Sequence, residues 1–154
     1  MKILRVMVNN RKREFVLETK KDKYIFPYSQ LTLRPSSSDP LVEVFVDPEV
    51  GHEAITYRLR SGKEDTVLLE NVLWYNQDPE TMRKLLVYNL TLRAQEGIAE
   101  KHITKRSLIR KLKTSPAQLY RLLDQTNYGK TIDQMLRLLA AVGIVVEIKT
   151  KKAA

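Results

Sequence analysis

ITKRSLIRKLKTSPAQLYRLL, Ile103 to Leu123, reads as two short helices with a tight turn between them. Thr104 is a helix-capping residue, and Leu108, Ile109 and Leu112 follow at spacings that put them on one helical face. Lys113-Thr114 turns the chain, and Ser115-Pro116-Ala117-Gln118 opens the next helix. Ser with Gln three residues on fits a capping box, and Pro suits a first helical position, where no backbone N–H is needed. Leu119, Leu122 and Leu123 then form a buried face, which leaves Ala117, Gln118, Tyr120, Arg121 and Asp124 on or near the other. The leucines at 108, 112, 119 and 122 are expected to lock the two helices at a steep angle with a cationic ridge outward.

The flanks extend this pattern. Asp78-Pro79-Glu80 has the composition of a helix start, and Met82, Leu85, Leu86, Leu90, Ala94 and Ile98 predict one apolar stripe along a long helix. After a loop from Gln125 to Lys130, Thr131-Ile132-Asp133-Gln134 is a second capping-box signature. Ile132, Met135, Leu136, Leu139 and Val142 are the predicted stripe there, and Gly143 is the predicted stop. Val145, Val146 and Ile148 read as a short closing strand ahead of a frayed basic tail.

Residues 1–76 have a different texture. Leu4, Val6 and Val8 alternate with Arg5 and Met7, and the polar Asn9-Asn10 leads to a second alternation at Phe15 and Leu17, which predicts an opening hairpin. Further β-type runs lie at Tyr24 to Phe26, Leu41 to Val46, Ala54 to Leu59 and Thr66 to Leu69, with hairpin-loop residues from Ser61 to Asp65. No internal repeat is visible. The fold class read from these patterns is α+β: a small antiparallel β domain over 1–76, then a helical domain over 77–154 with a short C-terminal strand. Trp74, Tyr75 and Tyr88 read as packing residues at the core or between the domains.

Charge divides the chain the same way. Up to Asn76 there are 12 basic and 11 acidic residues; beyond it there are 15 and 7, so +8 of the net +9 lies in the second half. From Lys101 to Lys130 eight basic residues face the single acid Asp124. Such a balance favours a polyanionic partner.

Several chemistries are not expected. The chain has no Cys, which excludes disulfides, thiolate metal sites and a cysteine nucleophile, and fits a reducing, cytoplasmic setting. Its apolar runs fall short of the roughly 18 to 20 residues of a bilayer span. His52, in the turn-rich Asp47 to Glu53, and His102 are the only histidines, and no glycine-rich phosphate loop or nucleophile motif occurs. No enzyme, cofactor or metal site is expected.

The run from Ile103 to Leu123, continued by Thr131 to Gly143, resembles the helix-turn-helix of the Cro and lambda-repressor-like family. The likeness covers about a third of the chain, from Ala94 to Gly143. It implies a lambda-repressor-like helix-turn-helix that binds double-stranded DNA as a homodimer, in a transcriptional regulator of prokaryotic or phage type. The helix from Pro116 would enter the major groove, with Gln118 facing adenine, Arg121 guanine or a phosphate, Ala117 a thymine methyl, and Tyr120 beside them. Thr104 and Ser115 at the helix starts belong to the implied DNA-binding set. Lys105, Arg106, Asn127, Tyr128 and Lys130 would contact phosphates. The sequence departs from the family at Lys113, where Gly is usual, which predicts a looser or differently shaped turn. Ile109 stands where a small residue is usual, and Pro116 where a base-reading side chain often is. Val145 to Ile148 is a candidate dimer edge. A β domain ahead of such a module resembles small bacterial domains of unknown function, and the alternative reading is an antitoxin-like or adaptor protein that grips a protein partner through that domain.

Overall fold

The computed structural model describes residues 1–153, which form two compact units, Met1–Thr81 and the chain from Met82 on. The architecture is α+β. In the first unit β1 (Ile3–Asn9), β2 (Glu14–Thr19) and β3 (Lys23–Pro27) form one antiparallel sheet. A second holds β4 (Leu41–Val46), β5 (Ala54–Leu59) and β6 (Glu64–Leu68), followed directly by helix α1 (Leu69–Tyr75). Period-two alternation sets the inner faces: Phe15 and Leu17 are buried while Glu14, Val16 and Glu18 between them are only half-buried. Phe15 packs its ring against Tyr28 and Tyr57, with centroids 5.1 and 5.6 Å away, and Tyr75 meets Phe26 edge-on at 5.7 Å. Trp74, expected to pack, is 51% exposed.

The two sheets are copies of one plan, a repeat that is not visible in the sequence. Val6 pairs with Leu17 and Leu17 with Tyr24; at the same places in the second sheet Val44 pairs with Tyr57 and Tyr57 with Asp65. The first strand of each has a register shift at its start, between Ile3 and Arg5 and between Leu41 and Glu43. Each third strand runs into a helical turn whose first N–H bonds back to the preceding hairpin: Tyr28 N to Arg13 O at 2.9 Å, Leu69 N to Glu53 O at 2.9 Å. The element after β3 is one 3-10 turn (Tyr28–Gln30), whereas α1 is a full helix. Beyond β3 the side chain of Asn76 takes the place of a further strand, accepting from Ile25 N at 3.3 Å and donating to Ile25 O at 2.8 Å.

The second unit contains α3 (Lys105–Leu112), α4 (Pro116–Leu123), α5 (Ile132–Val142) and most of α2 (Pro79–Glu100). Ala94, Leu108, Leu119, Met135, Leu138, Leu139 and Val142 form its core. Each large apolar side chain buried there contributes about 1.5–3 kcal/mol relative to exposure. Two predicted stripes are met in part: Ala94, Leu90 and Ile98 on α2 and Met135, Leu139 and Val142 on α5 face the core as expected. On α2 the buried positions are Val87, Thr91, Ala94 and Gly97, while Leu86 is exposed. Thr91 tolerates burial because its hydroxyl donates to Val87 O at 2.7 Å. Gly97 is buried because Ile144 and Val142 lie where a side chain would be: a Cβ there would sit 2.6 Å from Ile144 Cδ1. On α5 Leu138 is inward and Leu136 exposed.

The closing strand does not form. Val145 to Ile148 has no regular structure, with Val145 87% and Ile148 82% exposed. A strand needs a neighbour for its N–H and C=O groups, and among the described residues this unit contains no sheet to receive one.

Asp78 fastens the start of α2 to the first unit. It is buried, accepts from Thr81 N at 3.1 Å and Thr81 Oγ1 at 3.0 Å, and takes Lys21 Nζ at 2.7 Å and Tyr24 Oη at 3.3 Å on its other oxygen. The Lys21 ammonium, with the Thr81 donors, holds its carboxyl down at about 2 against the opposing effect of burial. Because the folded pKa is depressed, the stabilisation is complete above the ordinary carboxylate value and disappears as pH falls from about 4 towards about 2. Asp78→Ala should cost about 2–3 kcal/mol in urea unfolding at neutral pH. The deficit relative to the parent should shrink across that acid window, and a constant deficit down to pH 2 would contradict the assigned charge.

Candidate nucleic-acid interface

The α3–α4 pair is built from local signals that satisfy its helix ends. Thr104 Oγ1 accepts from Ser107 N at 3.2 Å, and Ser115 Oγ from Gln118 N at 3.2 Å, so both caps form as predicted. The capping box at Ser115 is only half made: the Gln118 side chain does not return to the cap backbone, whereas that of Gln134 does at Thr131. Gln118 is half-buried. Cap hydroxyls at Thr104 and Ser115 still have an O–H to donate outward.

Between the helices, Lys113 adopts the left-handed conformation, φ 50° and ψ 48°, that glycine takes at the end of α5, where Gly143 has φ 81°. Thr114 N reaches back to Ile109 O at 3.1 Å, as Ile144 N does to Leu139 O at 2.9 Å. The turn is therefore not loosened by the lysine; the non-glycine residue is held at positive φ at a cost of about 1 kcal/mol.

The last carbonyls of α4 and its cap take side-chain donors from outside the helix, and Asp124 O takes Asn127 N at 3.1 Å as well. Asn127 Nδ2 donates to Arg121 O at 3.1 Å, Lys130 Nζ to Leu122 O at 2.9 Å and Asp124 O at 2.8 Å, and Gln95 Nε2 from α2 to Leu123 O at 2.6 Å. Lys130 Nζ also donates to Thr91 Oγ1 at 2.6 Å. Two sequence expectations change here. Lys130, placed at a phosphate by the reading of the sequence, is 3% exposed with its ammonium turned inward, and burial pushes its pKa down against the opposing Asp124 carboxylate. Asn127, placed likewise, is half-buried, with Nδ2 on Arg121 O and Oδ1 accepting from Gly129 N at 3.0 Å. The loop is anchored again where Arg83 Nη1 donates to Tyr128 O at 2.9 Å, and Tyr128 itself stays exposed.

The outward surface is what remains. Ala117, Tyr120 and Arg121 are exposed on α4, with Tyr120 at 55%, and Lys105 sets its ammonium over the Tyr120 ring at 4.6 Å. Arg121 makes no ion pair with Asp124, whose carboxylate instead takes Thr126 N at 2.9 Å and Thr126 Oγ1 at 2.7 Å. Arg106 and Arg110 on α3, Lys113 in the turn and Arg121 on α4 are exposed cations with no carboxylate partner among the described residues. Not all basic residues of the segment contribute: Lys101 Nζ donates to Val142 O and Gly143 O, both at 3.0 Å, and Lys111 Nζ to Ala141 O at 3.4 Å, so these two cap α5.

Among the described residues no group of three or more His, Asp or Glu side chains converges as metal ligands would, and no helix is long and apolar enough to cross a membrane. No protein-family model matches the chain, and no curated protein or solved structure matches it.

Lys113→Gly should stabilise the protein by about 0.5–1 kcal/mol, read as a rise in urea midpoint at unchanged slope. Lys130→Met should cost about 2–3 kcal/mol, because it strips a charged donor from two buried acceptors, Thr91 Oγ1 and Leu122 O. Amides of α4 should then exchange with deuterium faster than those of α5; equal protection in both helices would show that the lysine does not seat α4.

Proposed function

We propose that the chain is a sequence-specific double-stranded DNA-binding protein, a transcriptional regulator of prokaryotic or phage type. The observation that carries this reading is the outward face of α4: a short, fully capped helix that exposes Ala117, Tyr120 and Arg121 and is bordered by unpaired cations on α3 and in the turn. Such a helix fits the major groove, and its fixed seat keeps the entropic cost of binding low. Arg121 would reach guanine or a phosphate, Gln118 adenine, and Ala117 a thymine methyl. Lys105, Arg106, Arg110, Lys113 and Tyr128 would set register on phosphates, and the cap hydroxyls of Thr104 and Ser115 would add neutral donors there.

One module covers half a site, so a homodimer would present two such helices one turn of DNA apart, and the exposed Val145 to Ile148 segment is available for strand exchange between copies. A second reading, an adaptor that holds a protein partner through the β unit, is favoured by the exposed Trp74 and by a shallow depression where Val50, Leu68 and Leu73 lie between Glu53 and Glu70.

Binding of a random duplex, followed by fluorescence anisotropy, should weaken about a thousandfold between roughly 50 and 200 mM salt if about six phosphates are contacted. Absence of binding at the lower salt would reject the reading. Against a site selected from genomic fragments, Arg121→Ala should lose about ten- to a hundredfold affinity and relax specificity, while Arg106→Ala should weaken selected and random duplexes alike. Equal losses from both substitutions on both duplexes would reject the assigned roles.

A further inference from the structure

The two meanders of the first unit agree in register and oppose each other in charge. On the outer face of β1–β3 one rung carries Arg5, Glu18 and Lys23 as successive cross-strand partners. The corresponding rung of β4–β6 carries Glu43, Arg58 and Glu64. The signs are plus, minus, plus on the first face and minus, plus, minus on the second. Lys23 lies 3.8 Å from Glu18, and Arg58 holds Glu43 at 3.0 Å and Glu64 at 2.8 Å. The next rungs on these faces are Met7, Val16 and Ile25 in one sheet and Phe45, Thr56 and Thr66 in the other, with Ile25 and Phe45 exposed and Thr56 buried under its bonds to Asp47 and Thr66.

A ladder inside one face needs only alternating signs, and either polarity serves it. Opposite polarity on two equivalent faces does something further. Two faces of the same kind would set like charge on like charge at every position; one of each kind sets plus on minus at all three. Each triad reads the same from either end, so the match holds whichever way the strands of the two sheets run relative to each other. Stacked sheets bring their facing side chains into contact, and Ile25 and Phe45 add apolar area beside the charges.

We infer that these faces are a self-association surface: the β1–β3 face of one copy docks on the β4–β6 face of a second copy of this chain. Such a contact is heterologous. A pair formed this way still has one free face of each kind, so association continues past two copies unless the geometry closes a ring. Because the charged pairs are exposed, the contact is weak and screened by salt. It involves residues of the first unit alone, and its test requires no nucleic acid.

Sedimentation velocity on the full chain at about 5 to 200 µM should show a weight-average coefficient that climbs with concentration at about 50 mM salt and flattens at about 500 mM, as the screening length falls from roughly 14 to 4 Å. Arg5→Glu with Lys23→Glu makes the first face uniformly negative, and Glu43→Lys with Glu64→Lys makes the second uniformly positive. Each double variant alone should lose the salt-sensitive climb with concentration, while an equimolar mixture of the two should climb at least as strongly as the parent. Circular dichroism checks that both are folded. If a reversal unfolds the unit, Lys23→Ala with Glu64→Ala should lower association at least fivefold. A parent whose coefficient does not climb with concentration at low salt, double variants that associate like it, alanine changes without effect, or a mixture of folded variants that associates no more than either alone would each overturn the proposal.

Discussion

The second unit depends on how the C-terminal end of α4 is completed. The helix has eight residues, too few to persist alone, and its last carbonyls have no partners of their own. Asn127, Lys130 and Gln95 supply donors to Arg121 O, Leu122 O, Leu123 O and Asp124 O, and they come from the following loop and from α2. A buried ammonium with no ion pair is normally costly, and the Asp124 carboxylate only partly opposes the burial. Here its charge sits at the negative end of the α4 dipole, and each nearby oxygen accepts from it, so the desolvation is offset where the helix most needs a cation.

That arrangement divides the basic residues of the segment into separate duties. Lys130 works inside, Lys101 and Lys111 cap α5, Lys105 lies on an aromatic ring, and only Arg106, Arg110, Lys113 and Arg121 are free cations toward solvent. Fewer of these cations are therefore unengaged for direct contact with a polyanion than the count in the sequence suggests. It also means that the outward face of α4 is rigid before any partner arrives, since the helix, its turn and the loop after it are tied down by bonds that a ligand would not need to break.

What was legible in the sequence follows the range of the interaction. Caps at Thr104, Ser115 and Thr131 and the stop at Gly143 involve groups at most a few residues apart, and local chemistry was enough to place them. The fate of Lys130 is decided by Thr91, far away in the chain, and the burial of Thr91 and Gly97 by what packs on α2, so a stripe built from apolar residues found Ala94, Leu90 and Ile98 on the inner side but missed Val87, Thr91 and Gly97. Lys113 is a case where the packed helices impose a backbone conformation that the residue itself disfavours. The repeat in the β unit escaped notice because it is kept in pairing register and not in residue identity: Tyr24 corresponds to Asp65 and Leu17 to Tyr57. At Val145 to Ile148 composition alone suggested a strand, but extended structure also requires a neighbour, which alternation cannot supply.

Asn76 has a consequence for what the β unit does not do. With its amide on both backbone groups of Ile25, an incoming extended segment finds the margin of β3 already occupied at that residue. One planar side chain thus serves as a stopper at the β3 margin against templated growth of the cross-β kind.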